Sequence, residues 1–205
     1  MIDSINATDI DDFFSKRRDA QGLLPLLLCK LILASVEREN LRCIRFPSED
    51  QVGQPGYDGV VEVEISHPYV PEGASGWEMS TESDINSKAS ADYDKRTGTP
   101  GSLSVLAATF IFVTPRNWRG KASWVESKRQ RKEWLTVNAL DATDLATWLN
   151  LTPAVERWLA GKTGMQTAMR TLPGACPAVK GLGTSFELGM LKRRSFIGLE
   201  RRSGG

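Results

Sequence analysis

The chain has 205 residues, 40% of them hydrophobic and 25% charged, which fits one globular domain with a sizeable core and an appendage. Its formal net charge is +1, so the whole-chain field does not mark a nucleic-acid binder, and any basic surface must come from local clustering. Three cysteines, Cys29, Cys43 and Cys176, form no CxxC pair, which argues against a disulfide framework or a cysteine-rich zinc site and fits a reducing cytoplasm.

His67 is the single histidine, which excludes paired-histidine zinc sites and leaves any Ser-His-Asp triad dependent on that one residue. The longest apolar run, Leu23 to Leu28, is too short to cross a bilayer. The start of the chain is acidic (Asp3, Asp9, Asp11, Asp12), so no secretory signal is expected and a cytoplasmic location is.

In chain order, Leu23, Leu24, Leu27, Leu28, Leu31, Ile32 and Val36 recur at helical spacing and predict a helix over 22–39, with Pro25 in its first turn. Arg42 to Phe46 reads as a short strand, followed by a turn-rich stretch from Pro47 to Gly59. Val60 to Ile65 alternates apolar and acidic residues, as a half-exposed strand does. A loop with Pro68, Pro71, Gly73 and Gly76 leads to a strand over Trp77–Ser80.

Ser83 to Arg96 reads as a polar helix. The run ATFIFV, Ala108 to Val113, predicts a central strand buried on both faces. Lys121 to Lys132 reads as a basic helix and Trp134 to Leu140 as a strand. Asp141 or Thr143 caps a helix with Leu145, Trp148 and Leu149, and Pro153 opens a last helix through Leu159. Three consecutive strands make a meander, and the later strand-helix-strand portion implies a crossover, so the expectation is an α/β fold with a mixed central sheet flanked by helices. The domain is expected over residues 1–161, with 162–205 a basic, glycine-containing linker or tail.

The chemistry starts from two carboxylates. Asp58 lies in PGYDG at the start of one strand and Glu78 in GWEMS on the next, 78 − 58 = 20 residues on. That spacing suits a hairpin that brings both to one sheet edge, where hard oxygen ligands can hold Mg²⁺ for water activation at a phosphate. The plainer alternative makes Asp58 a turn residue beside glycine and Glu78 a surface residue. Trp134, Trp148 and Trp158 lie in periodic segments and read as core, Tyr93 as packing, and His67 as a surface loop residue.

A basic cluster of Arg116, Arg119, Lys121, Lys128, Arg129, Arg131 and Lys132, interleaved with Trp118 and Trp124, can follow a DNA backbone or form a solvated helix face.

The segments RDAQGLLPLLLCKLI, FPSEDQVGQPGYDG, VPEGASGWEMSTE, KASADYDKRT, FIFVTPRNW and the stretch from Trp134 to Trp148 resemble the PD-(D/E)xK, restriction-endonuclease-like and Mrr-related effector nuclease domain. That domain stands at the N-terminus of bacterial antiphage proteins of the STAND type. The resemblance spans roughly residues 17–160, and no GxxxxGK[ST] motif of an NTPase is present.

It implies a Mg²⁺- or Mn²⁺-dependent DNA endonuclease with little sequence specificity, acting in antiviral defence and activated by clustering through a sensor region or partner chain. Asp58 and Glu78 would be its metal ligands. The lysine expected two residues after the glutamate is Ser80, which cannot supply a positive charge; Lys88, on the following helix, is the candidate replacement. Lys95, Arg96, Arg116, Arg119, Lys128, Arg129 and Lys132 would contact nucleic acid. The alternative is a catalytically inactive DNA-binding or scaffold module of the same fold, for which Ser80 speaks.

Overall fold

A computed structural model describes residues 4–16, 22–46 and 56–164. The first element, helix α1 (Ala7–Lys16), is absent from the sequence-based expectation. Its signals are short: Ile10 and Phe14 are the buried pair, one turn apart. The Asn6 side chain accepts from the Thr8 and Asp9 N–H groups, and Asp9 accepts from the Asn6 N–H, which closes the first turn. The run of acids around these residues masks the stripe.

Helix α2 (Leu23–Ser35) buries Leu24, Leu27, Leu28, Leu31 and Ile32. Strands β1 (Leu41–Arg45), β2 (Gly59–Val63) and β3 (Gly73–Met79) follow. Then come α3 (Ile85–Gly98), β4 (Ala108–Val113), α4 (Lys121–Gln130), β5 (Thr136–Leu140), α5 (Ala142–Leu151) and α6 (Pro153–Thr163). Asp141, rather than Thr143, caps α5 through a capping box with Asp144. Most of the turn-rich stretch, residues 47–55, lies outside the described residues, as do 165–205 of the expected tail. Helix α6 runs through Thr163 and ends on Gly164 at φ 73°, in the left-handed region that favours glycine.

Strand β3 begins at Gly73, before the expected Trp77. Ala74, Ser75 and Gly76 carry little strand propensity, yet this strand is paired on both sides, to β2 and to β4, and ladder bonding overrides the weak local preference. Gly76 is required by packing: a Cβ there would lie 2.7 Å from the Tyr57 ring and 2.8 Å from Leu103.

The five strands form one sheet in the order β1-β2-β3-β4-β5. The first three pair antiparallel, while β3-β4 and β4-β5 are parallel. This is the expected mixed sheet flanked by helices. Successive residues of β4 face opposite sides. Ile111 and Val113 join α1, α2, α5 and α6 in one core, with Trp77 and Trp148; Phe110 and Phe112 join a second core beneath α3 and α4, with Tyr93, Trp118, Trp124 and Trp134. Every β4 residue is buried, as its continuous apolar run requires. Among the described residues, no helix is long and apolar enough to cross a membrane.

Candidate active site

The β2-β3 register pairs Gly59 with Trp77, so Asp58 stands opposite Glu78 one step further on. Directly opposed residues of an antiparallel pair share a face. Because Trp77 belongs to the first core, Glu78 turns to the other side, toward α3. Asp58 is half-buried and its Oδ2 accepts from the Met79 N–H at 2.8 Å. Glu78 is 4% exposed. Burial raises the pKa of both carboxyls. For Glu78 it dominates, pushing the group up to about 7, against the Arg96 hydrogen bond that lowers it; the Asp58 charge adds to the rise. For Asp58 the Met79 N–H partly offsets the burial.

Helix α3 supplies the rest. Asp84 caps it by accepting from the Ser87 N–H. Three indole N–H groups bond to polar side chains of this helix: Trp118 to Asn86, Trp124 to Ser90 and Trp134 to Thr97. These bonds fix the helix rotation over the sheet. Lys88, Asp92 and Arg96, four residues apart, then share one face directed at the Asp58–Glu78 pair.

Arg96 is 7% exposed. Its Nε donates to Glu78 Oε1, its Nη2 donates to the Gly56 carbonyl, and its guanidinium lies 4.8 Å from the Tyr57 ring centroid. Lys88 Nζ donates to Asp92 Oδ1 at 2.9 Å. Asp92 is 6% exposed, and its Oδ2 is buried without a hydrogen-bond partner. Ser80, in the position of the expected lysine, is buried, and its Oγ accepts from the Glu82 N–H.

The basic cluster divides. Arg96, expected at a nucleic-acid surface, is inside the acidic site. Lys128, also expected there, is 4% exposed, with its ammonium 4.6 Å from the Tyr93 ring centroid and 3.5 Å from Asp94; burial lowers its pKa. Arg116 is half-buried and braces the fold, donating to the Thr81 carbonyl and the Ser15 hydroxyl. Arg129 is tied to β5 through the Val137 carbonyl and Asn138. Lys95, Arg119 and Lys132 are exposed.

Trp118 and Trp124 are buried beside Phe112 rather than offered for stacking. Tyr93 packs, as expected, and donates to Glu133 at 2.9 Å. His67, expected on a surface loop, is half-buried, with its ring stacked 6.0 Å from Trp148. Trp158 is only partly buried, and Lys30 lies over it at 5.0 Å.

Asp92 is the site residue the sequence reading missed. Its signals were present: an i, i+4 pairing with Lys88 and a place on the inward face beside Tyr93. The oxygen donors of Asp58 and Glu78 suit Mg²⁺ or Mn²⁺. As the side chains are placed, however, no group of three His, Cys, Asp or Glu residues among those described is set to hold a metal ion.

No family model, curated protein or solved structure matches the chain.

Proposed function

We propose that this domain is a metal-dependent DNA endonuclease of the PD-(D/E)xK class. The observation that carries the reading is the opposition of Asp58, just before the start of β2, and Glu78, near the end of β3, with Lys88 on the helix that follows. The order α2-β1-β2-β3-α3-β4, a meander followed by a parallel strand, supports the restriction-endonuclease-like assignment. Fold alone does not imply the activity; the carboxylate pair argues for it.

Asp58 and Glu78 would hold Mg²⁺ or Mn²⁺, which when bound lowers the pKa of water and neutralises charge on a phosphate. Water adds to phosphorus, the phosphodiester P–O bond breaks, and the departing oxygen takes a proton. Lys88 supplies the positive charge that Ser80 lacks, offsetting negative charge as it develops. Asp92 holds the Lys88 ammonium on the correct side of the helix. The exposed Lys95, Arg119 and Lys132 supply the backbone contacts, without base readout. The role as an antiviral effector, switched on when copies cluster through a sensor region, belongs to the same proposal and rests on the resemblance.

A second reading, a nuclease-fold DNA-binding or scaffold module without catalysis, is favoured by two observations: Arg96 sits on Glu78, and Ser80 replaces the lysine. Supercoiled plasmid incubated with Mg²⁺ or Mn²⁺ separates the two. The nuclease nicks or linearises it, and Asp58→Ala and Glu78→Ala abolish cutting while DNA binding persists. Absence of cutting at any concentration, including with the chains artificially clustered, decides for the binding module.

A further inference from the structure

Asp58 and Glu78 are held in different ways. Glu78 lies inside β3, which is paired on both sides. Asp58 lies one residue before β2, beyond the last ladder pair of that hairpin, Gly59 with Trp77. The end of a ladder opens readily unless something outside the ladder ties it down. The turn that leads to Asp58 passes through Gly56 at φ 148°, a conformation open to glycine and to few other residues.

Three hydrogen bonds tie this end of the hairpin. Asp58 Oδ2 accepts from the Met79 N–H at 2.8 Å, and the Tyr57 hydroxyl donates to the Pro100 carbonyl at 3.0 Å. The third runs from Arg96 Nη2 to the Gly56 carbonyl, and the Nε–H of the same guanidinium is on Glu78 Oε1. The group is planar and rigid, so the two bonds fix one acceptor relative to the other. It also rests 4.8 Å from the centroid of the Tyr57 ring, which packs on Gly76 of β3 so closely that a Cβ there would lie 2.7 Å from it. Thr97, next to Arg96, is fixed in turn by the Trp134 indole at 2.9 Å.

From this we propose that Arg96 is a positioning residue: one rigid guanidinium sets Glu78 and the Gly56–Tyr57–Asp58 turn in a fixed relation, so that the two carboxylates act as a pair. The proposal rests on the reading of that pair as the active centre. Arg96 and Met79 take Glu78 Oε1 and Asp58 Oδ2, which leaves Glu78 Oε2 and Asp58 Oδ1 outside these bonds. A lysine in place of Arg96 would carry the same charge without the planar fork or the flat face that stacks on Tyr57.

The test uses the full chain and two readouts, amide hydrogen exchange by NMR and plasmid nicking with Mn²⁺. Arg96→Gln should speed exchange of the Met79 amide by ~10-fold or more, the scale of losing a hydrogen bond to a charged group, because Asp58 is released with its turn. The Ser80 amide, bonded to the Val113 carbonyl at 3.0 Å, should stay within about twofold of the parent, since the opening is local. In nicking, the same variant should lose ~10²-fold in kcat, as misplaced reacting groups do, with KM for plasmid unchanged.

Should Arg96→Gln fold poorly, Arg96→Lys keeps a cation beside Glu78 and should show the same selective exchange at Met79 and the same loss of kcat. Lysine restoring both to parent values would mean that charge suffices, and would overturn the proposal. Equal acceleration at Met79 and Ser80 is general loosening and overturns it too. A parent that cuts, with Arg96→Gln cutting equally well, sinks this proposal and leaves the nuclease reading standing. A parent that never cuts sinks the nuclease reading; selective exchange at Met79 would then still make Arg96 the residue that holds the pair, and its lack would sink both.

Discussion

Arg96 donates its Nε–H to the Glu78 carboxylate, and both side chains are almost wholly buried. One comes from a strand and the other from the helix that follows it, so the pair joins the sheet to α3 at the site itself. Removing Arg96 leaves a buried carboxylate with no cation, a change that costs ~3–5 kcal/mol. At pH 8 Arg96→Ala should lose stability on that scale by urea denaturation. At pH 5 the loss should be smaller, because Glu78, with its pKa pushed up to about 7, takes a proton instead. An equal cost at both pH values would contradict the pairing.

Glu78 also sets a pH dependence of its own. Its pKa rises from an ordinary 4.5 to about 7 on folding, so the folded chain keeps this proton to higher pH than the unfolded chain. The contribution to stability is fully present below 4.5 and lost as pH rises through 7. The urea midpoint of the parent, taken relative to Glu78→Gln, should decline across that window and level off above it. A flat difference would mean that burial does not control this carboxyl.

Lys88→Ala should reduce plasmid nicking by ~10²–10³-fold, the scale for losing one fixed stabiliser of developing charge. Mn²⁺ affinity should not fall, because the substitution removes a cation and not a ligand. Cleavage within a few-fold of the parent, measured in single turnover, would remove Lys88 from the chemistry.

DNA binding should separate exposed from buried cations. Alanine at Lys95, Arg119 or Lys132 should each lower the slope of log K against log salt by about 1, as loss of one phosphate contact does. Lys128→Ala should leave the slope unchanged and lower Tm, since its ammonium lies over Tyr93 and Trp124. Titration of a fluorescent duplex at several salt concentrations reads both.

Gly76→Ala should destabilise the domain by ~1–3 kcal/mol, the usual effect of overpacking. The new methyl meets the Tyr57 ring at 2.7 Å, and Arg96 rests on that ring. Nicking should fall with it, because the displacement reaches Glu78 through Arg96. A parent-like Tm would show that Tyr57 gives way freely.

Much of this fold is legible before any coordinates. The apolar run of β4, the leucine spacing of α2 and the alternation in β2 each report a local period that survives tertiary packing. The opposition of Asp58 and Glu78 was legible too, because a hairpin register follows from spacing and turn residues. Helix α1 was not, since its stripe is two residues wide among acids. The start of β3 was not, since Ala74, Ser75 and Gly76 become strand through partners distant in sequence.

What the sequence determined by itself is the order of elements from α2 onward and the opposition of the two carboxylates on a pair of neighbouring strands, both set by short-range periodicity and spacing. What only the tertiary structure decided is which charges are inside. Along the chain Arg96 and Lys128 group with Lys95 and Lys132 as nucleic-acid contacts, and Asp92 stands among other charged residues of the same polar helix. Their burial follows from the rotation of α3 and α4 on the sheet, which long-range bonds from Trp118, Trp124 and Trp134 set. A charge count along the chain is the same whether a cation faces water or a buried carboxylate; the electrostatic energy is not, because the surroundings change from high to low dielectric.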